Sequence, residues 1–261
     1  MHALVTGVSA AGGLLLGDNL EVLVERLGER HSLDRPLWRC PSCHAPCRGL
    51  AAVPVARVLA RRRGCGHCGQ RPHDVWRPVV LALISAALLG GLAARIGDDL
   101  VLAPYALLAL SLVAISAVDF ERHIIPNRLV YPTLAVIVPL FVAASAVDDR
   151  WGSLARAAIG GAAAFAAFLA VHLAVPHGMG FGDVRLSGVL GFAMGWLGLG
   201  HAFVGFLAAF VLGAVVGVLA MAVSGAGRKT RIPFGPFLAA GAMITVLWGT
   251  PLTNALFHHG A

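Results

Sequence analysis

Charge is what this sequence has least of. Only 13% of its 261 residues are Asp, Glu, Lys or Arg, against about 25% in an ordinary soluble domain. Cysteine is absent outside the window from Cys40 to Cys68. No internal repeat or low-complexity tract occurs, and no Lys or Arg lies near Met1. Each absence excludes something. A chain with so little charge and 58% apolar residues is not a disordered segment, because it has ample apolar surface to bury. Five cysteines confined to one window do not make a disulfide framework for a secreted module. The 32 glycines follow no collagen period. Without a positive N-terminal flank, the first apolar stretch reads as an uncleaved span and not as a signal peptide.

What is there points to lipid as the main solvent. The mean hydropathy is +0.80. Eight stretches approach the roughly 20 apolar residues that a membrane helix needs. They are Ala3–Leu16, running into the half-polar 17–27, then Pro78–Ile96, Leu100–Val118, Leu129–Val147 and Leu154–Val175, followed by Leu186–Leu199, His201–Val223 and Ile232–Trp248. The sixth is short and pairs with the seventh as a tight hairpin around Gly198 and Gly200. Small residues such as Gly160, Gly161, Gly191 and Gly195 allow helices to approach closely. The expected fold is all-α, a polytopic membrane bundle of about eight spans with a small cytoplasmic insert. Its parts are a first span over 1–27, a basic segment over 28–77 and a helical bundle over 78–250.

The net charge of +7 is unevenly placed. Residues 26–77 hold 11 Arg and three acids, a net of +8, and the remainder of the chain is −1. Putting this segment inside and alternating the spans leaves 17 of the 20 basic residues inside. The acidic pairs Asp98-Asp99 and Asp148-Asp149 then fall outside. Lys/Arg bias of this kind sets orientation. A basic segment beside spans favours anionic lipid as its partner, and nucleic acid is not expected.

The cysteines have metal spacing. Cys40-Pro-Ser-Cys43 and Cys65-Gly-His-Cys68 are two C-x2-C knuckles that present four thiolates to one tetrahedral zinc ion. Disulfides are the other use of such pairs, but a cytosolic segment keeps its thiols reduced. A closed four-Cys shell leaves no open position for water, so this zinc would fold the loop and not catalyse. Cys47 stands outside the knuckles, as a free thiol or as an alternative to Cys43.

Apart from these segments the spans are nearly free of acids, which makes Asp119 and Asp183 conspicuous. Asp119 closes the third span and Asp183 precedes the sixth, so both fall at the inner face. A carboxylate at a span end ordinarily just meets water, and that reading suits Glu121. Asp119 and Asp183 are each flanked by apolar residues and a helix-interrupting element, Pro126 for one and Gly180 with Gly182 for the other. Ionisable groups at membrane depth mark functional sites by default. Two carboxylates meeting in a partly dry site share one proton, as in aspartic proteases. The ionised partner is a general base for water, and the protonated partner polarises a peptide carbonyl. A transporter or metal-handling site built from Asp119, His123, His177 and Asp183 remains the alternative.

The combined motifs resemble the prepilin peptidase family, the type IV leader peptidases. These are membrane aspartyl proteases of the Gly-x-Gly-Asp kind. Asp119 with Ile125-Pro126-Asn127, then Gly180-Phe181-Gly182-Asp183, carry the likeness. So do the two knuckles and the run Arg231-Ile232-Pro233-Phe234-Gly235-Pro236. The resemblance implies a multi-pass protein of the bacterial cytoplasmic (inner) membrane. It implies cleavage of the leader of type IV prepilins or pseudopilins at the cytoplasmic face, with Asp119 and Asp183 as the catalytic pair. Gly180, Gly182, Pro126 and Asn127 would form the substrate loops. Many members with the zinc insert also methylate the new N-terminus with S-adenosylmethionine. The first span departs from the family pattern here, with Gly17-Asp18-Asn19-Leu20-Glu21 placing Glu21 where the family has Asn.

Overall fold

The computed structural model describes residues 2–28, 67–68, 76–175, 179–224 and 233–257. The expected zinc ligands Cys40, Cys43 and Cys65 lie outside the described residues, as does His177, while Cys68 is described and exposed. All regular structure among the described residues is helical. The chain divides into two compact units, Met1–Asp98 and Asp99–Ala261.

The first unit pairs helix α1 (His2–Gly28) with α2 (Trp76–Ile96). Their seam is made of small residues one turn apart. A methyl group on Gly13 would stand 2.6 Å from the Ala86 backbone, and one on Gly17 would stand 2.6 Å from that of Ala82. Backbones this close gain dispersion contacts that larger side chains would forbid, which is how helices associate without a hydrophobic drive.

The second unit contains α3 (Leu102–Arg122), α4 (Asn127–Asp148), α5 (Trp151–Ala174), α6 (Phe181–Leu197), α7 (Leu199–Ser224) and α8 (Gly235–Phe257). The helix ends are local chemistry. α3 stops where His123 turns left-handed, φ 54°, with its N–H bonded to the Asp119 carbonyl. Pro126, extended, then caps the start of α4. The α4 helix carries Pro132 and Pro139, which membrane helices tolerate because neighbours satisfy the freed carbonyls. α6 and α7 join through Gly198 at φ 155°, a conformation that L side chains rarely adopt. The chain does turn at Gly198, as expected, with a single residue between the two helices.

Five helices are long and apolar enough to cross a membrane: α2, α3, α4, α5 and most of α7. α6 has 17 residues, and the apolar parts of α1 and α8 are Ala3–Gly17 and Gly235–Gly249. α7 explains why water cannot be the solvent. It exposes Phe203, Leu207, Phe210, Val211, Val215 and Val218 along its length. A continuous apolar face of that size belongs in lipid.

The interior of the second unit is close-packed toward the end where α3 begins. Tyr105, Phe141 and Trp196 cluster with ring centroids 5.3 and 4.9 Å apart, and the Tyr105 hydroxyl donates to the Ala193 carbonyl at 2.8 Å. α5 and α6 meet backbone to backbone, since a methyl group on Gly160 would lie 2.6 Å from the Gly191 carbonyl. Arg150 bonds Asp99 at 2.7 Å and Asp148 at 3.2 Å. This joins the segment before α3 to the α4–α5 corner, so the two acidic turns share one end of the bundle.

Candidate active site

The opposite end holds the acids. Asp119 lies in the last turn of α3, three residues before the helix ends, and is only 4% exposed. Burying a carboxylate is costly unless it is hydrogen-bonded. Here the first residue of α8 meets the cost: Gly235 donates its N–H to Asp119 Oδ2 at 2.9 Å. The first amides of a helix have no partner within the helix, and its N-terminus carries partial positive charge. The missing side chain is what lets this amide come so close, because a methyl group on residue 235 would stand 2.7 Å from Asp119 Oδ2 and one of the two would have to shift.

Asp183 is the third residue of α6 and is half-buried. Gly180, extended, precedes the helix, and the Asp183 N–H bonds its carbonyl at 3.1 Å. A methyl group on Gly180 would stand 3.3 Å from Asp183 Oδ2, so the loop hugs the carboxylate. The charge of Asp119 acts on Asp183, which puts the two acids in one electrostatic neighbourhood.

Ile125 links the segments. A methyl group on Gly182 would lie 2.8 Å from Ile125 Cβ, and one on Gly235 would lie 3.4 Å from Ile125 Cδ1. Next along the chain, Asn127 Oδ1 accepts a hydrogen bond from Arg185 Nη1 at 2.5 Å. The Arg185 guanidinium lies 4.4 Å from the Phe181 ring and 5.7 Å from that of Tyr131. Behind the loop, His172 Nδ1 pairs with the Met179 carbonyl at 2.9 Å, and its ring packs 5.4 Å from Phe181. Three stretches distant in sequence therefore converge, 119–127, 180–185 and 234–236.

Of the residues singled out in the sequence, Asp119, Asp183, Gly180, Gly182, Pro126 and Asn127 all lie at this end. His123 is exposed at the left-handed turn that ends α3. Among the described residues no group of three or more His, Cys, Asp or Glu is placed to hold a metal ion. Four contributors were missed: Gly235, Ile125, Arg185 and His172. The only signal for Gly235 was its place in the Pro233–Pro236 run. Arg185 carried two signals, its place among the inner-side basic residues and its place two residues after Asp183 in the Gly182–Leu186 motif. The resulting arrangement holds one carboxylate on a backbone amide and a second beside it on a glycine loop, which suits acid–base work on a peptide bond.

Residues 106–218, which include both acids, match a family described as "Type IV leader peptidase family". Residues 12–95 match one described as "Bacterial Peptidase A24 N-terminal domain". A protein of Burkholderia pseudomallei named prepilin leader peptidase/N-methyltransferase is 35% identical over 236 residues, 87% of this chain and 72% of that protein. A Bacillus subtilis protein of the same name is 30% identical, over 93% of this chain and 94% of its own. One from Pseudomonas aeruginosa, also so named, is 29% identical over 93% and 90%. No solved structure matches the chain.

Proposed function

The chain belongs to the type IV leader peptidase family, and from that premise we propose that it is a membrane aspartyl endopeptidase that removes the leader of prepilin-like substrates, with Asp119 and Asp183 as its catalytic pair. The observation that supports this is the placing of two acids, from α3 and α6, at one end of the bundle, with Ile125 packed against both Gly182, next to Asp183, and Gly235, whose amide holds Asp119. One carboxylate, ionised, takes a proton from water as the water oxygen bonds to the scissile carbonyl carbon. The other, protonated, donates a hydrogen bond to the carbonyl oxygen. Proton delivery to the leaving nitrogen then breaks the C–N bond. The backbone amide of Gly235 keeps Asp119 oriented. Gly180 lets the loop pass close to the Asp183 carboxylate, and Gly182 admits Ile125, so that the 125–127 turn packs against the Asp183 loop and forms the other wall of the site.

The finer topology follows the charge distribution. An eight-span arrangement in the bacterial inner membrane puts the acids and the basic 28–77 segment at the cytoplasmic face, with 1–27 as the first span and 78–250 as the catalytic bundle. Cys40, Cys43, Cys65 and Cys68 form a donor set suited to one structural zinc. Anionic lipid is the partner of the basic segment. Methylation of the new N-terminus from S-adenosylmethionine is a second activity, supported by the two-part names of the relatives.

Asp119→Asn and Asp183→Asn test the pair. Each keeps size and hydrogen bonding but removes the proton exchange, so each should reduce prepilin cleavage to background while the protein stays in the membrane. Normal processing by either variant would sink the assignment. Mass spectrometry of the product made with labelled S-adenosylmethionine reads cleavage and methylation together.

A further inference from the structure

An open groove of about 450 Å³ runs between α4, α5 and α6. Its lining is apolar, with Tyr131, Ala162 and Phe165 exposed along it and Gly188 and Phe192 half-buried beside them. Arg185 stands at its mouth, in the second turn of α6, at the same end as the acids. The guanidinium is held in place by the Phe181 and Tyr131 rings and by Asn127, and no carboxylate pairs with it among the described residues. A guanidinium has five N–H donors in a rigid fork that fits phosphate, and the Asn127 contact uses one of them.

The groove is not the substrate path. At about 100° per residue, its lining on α6 lies roughly 120–180° around the helix from Asp183. An apolar trough with a fixed cation at its rim, on the reverse face from the chemistry and open to the bilayer, has the chemistry of a phospholipid seat. We propose that it holds one anionic phospholipid, an acyl chain along the trough and the phosphate on Arg185. An anionic surface attracts a basic side chain lying beside it, and the charge bias assigns this end to the cytoplasmic leaflet.

Native mass spectrometry of the full-length protein, exchanged into phosphatidylglycerol or phosphatidylcholine, tests this. The wild type should retain one phosphatidylglycerol with at least about a fivefold preference, the value of one basic residue at an anionic surface. Arg185→Lys should keep the preference. Arg185→Gln should abolish it while still retaining lipid of either kind. Ala162→Phe, at an exposed position, should fill the trough and lose both. Asp183→Asn should bind as the wild type does, so the lipid result stands apart from the catalytic assignment. Equal preference in wild type and Arg185→Gln, or undiminished lipid on Ala162→Phe, overturns the proposal. Should Arg185→Gln fail to fold, equal retention of the two lipids by the wild type, or undiminished lipid on Ala162→Phe, overturns the proposal.

Discussion

Gly235→Ala isolates the contact that holds Asp119. The added methyl would sit 2.7 Å from Asp119 Oδ2, and ordinary contact begins near 3.4 Å, so one group must retreat by about 0.7 Å. A 2.9 Å hydrogen bond does not survive that retreat with useful strength. Hydrogen bonds to charged groups are worth about 1.5–3 kcal/mol, and a displacement near 1 Å costs catalysis on the order of 100-fold. The expected loss in kcat is therefore about 10- to 100-fold, with KM within about twofold. Helix propensity pulls the other way, since Ala at a helix position is favoured over Gly by up to about 1 kcal/mol. Global stability should hold, and a drop in activity cannot be blamed on the helix. The assay is single-turnover cleavage of a prepilin-like substrate by purified protein, with thermal unfolding in parallel. Gly12→Ala is the control, because nothing lies within 4 Å of its added methyl. Unchanged kcat in Gly235→Ala, or a loss matched by a fall in Tm, refutes the reasoning.

Four further outcomes are expected. Gly182→Val collides with Ile125, and kinetics should show about tenfold or greater loss, partly restored by Ile125→Ala in the same chain. Absence of rescue would disprove the wedge. Gly191→Leu forces apart α5 and α6, where a methyl already meets the Ala164 side chain at 2.6 Å. It should cost about 1–3 kcal/mol or more in a denaturant titration. Arg150→Ala removes partly exposed ion pairs with Asp99 and Asp148 and should cost less than about 1 kcal/mol with cleavage unchanged. Cys40→Ser should drop bound zinc from about one ion per chain to none, as measured by elemental analysis. A full zinc complement in that variant would remove Cys40 from the shell.

Much of this end of the molecule was legible because helices in lipid alternate direction. Given the spans, Asp119 and Asp183 had to reach the same face, and the acidic turns around Asp99 and Asp148 the other. Helix ends were less legible, since they depend on single residues. α3 continues past Asp119 to Arg122 because nothing stops it until His123 turns left-handed. α6 ends at Leu197, short of the apolar run, because Gly198 adopts a conformation closed to other residues. The Gly235 contact was illegible for a different reason. It joins residues 116 positions apart, and no periodicity in either helix encodes which amide a carboxylate will meet. The contacts of Arg185 and His172 were passed over because they are made through ring faces and a loop carbonyl, which leave no pattern in composition or spacing.

The long reach of that hydrogen bond bears on biosynthesis. A nascent chain that has inserted as far as α6 already carries both acids, yet the amide that steadies Asp119 belongs to α8. On the proposed assignment, full activity therefore waits on a segment translated well after the acids themselves. A product truncated before Gly235 would carry both carboxylates with Asp119 left without that amide.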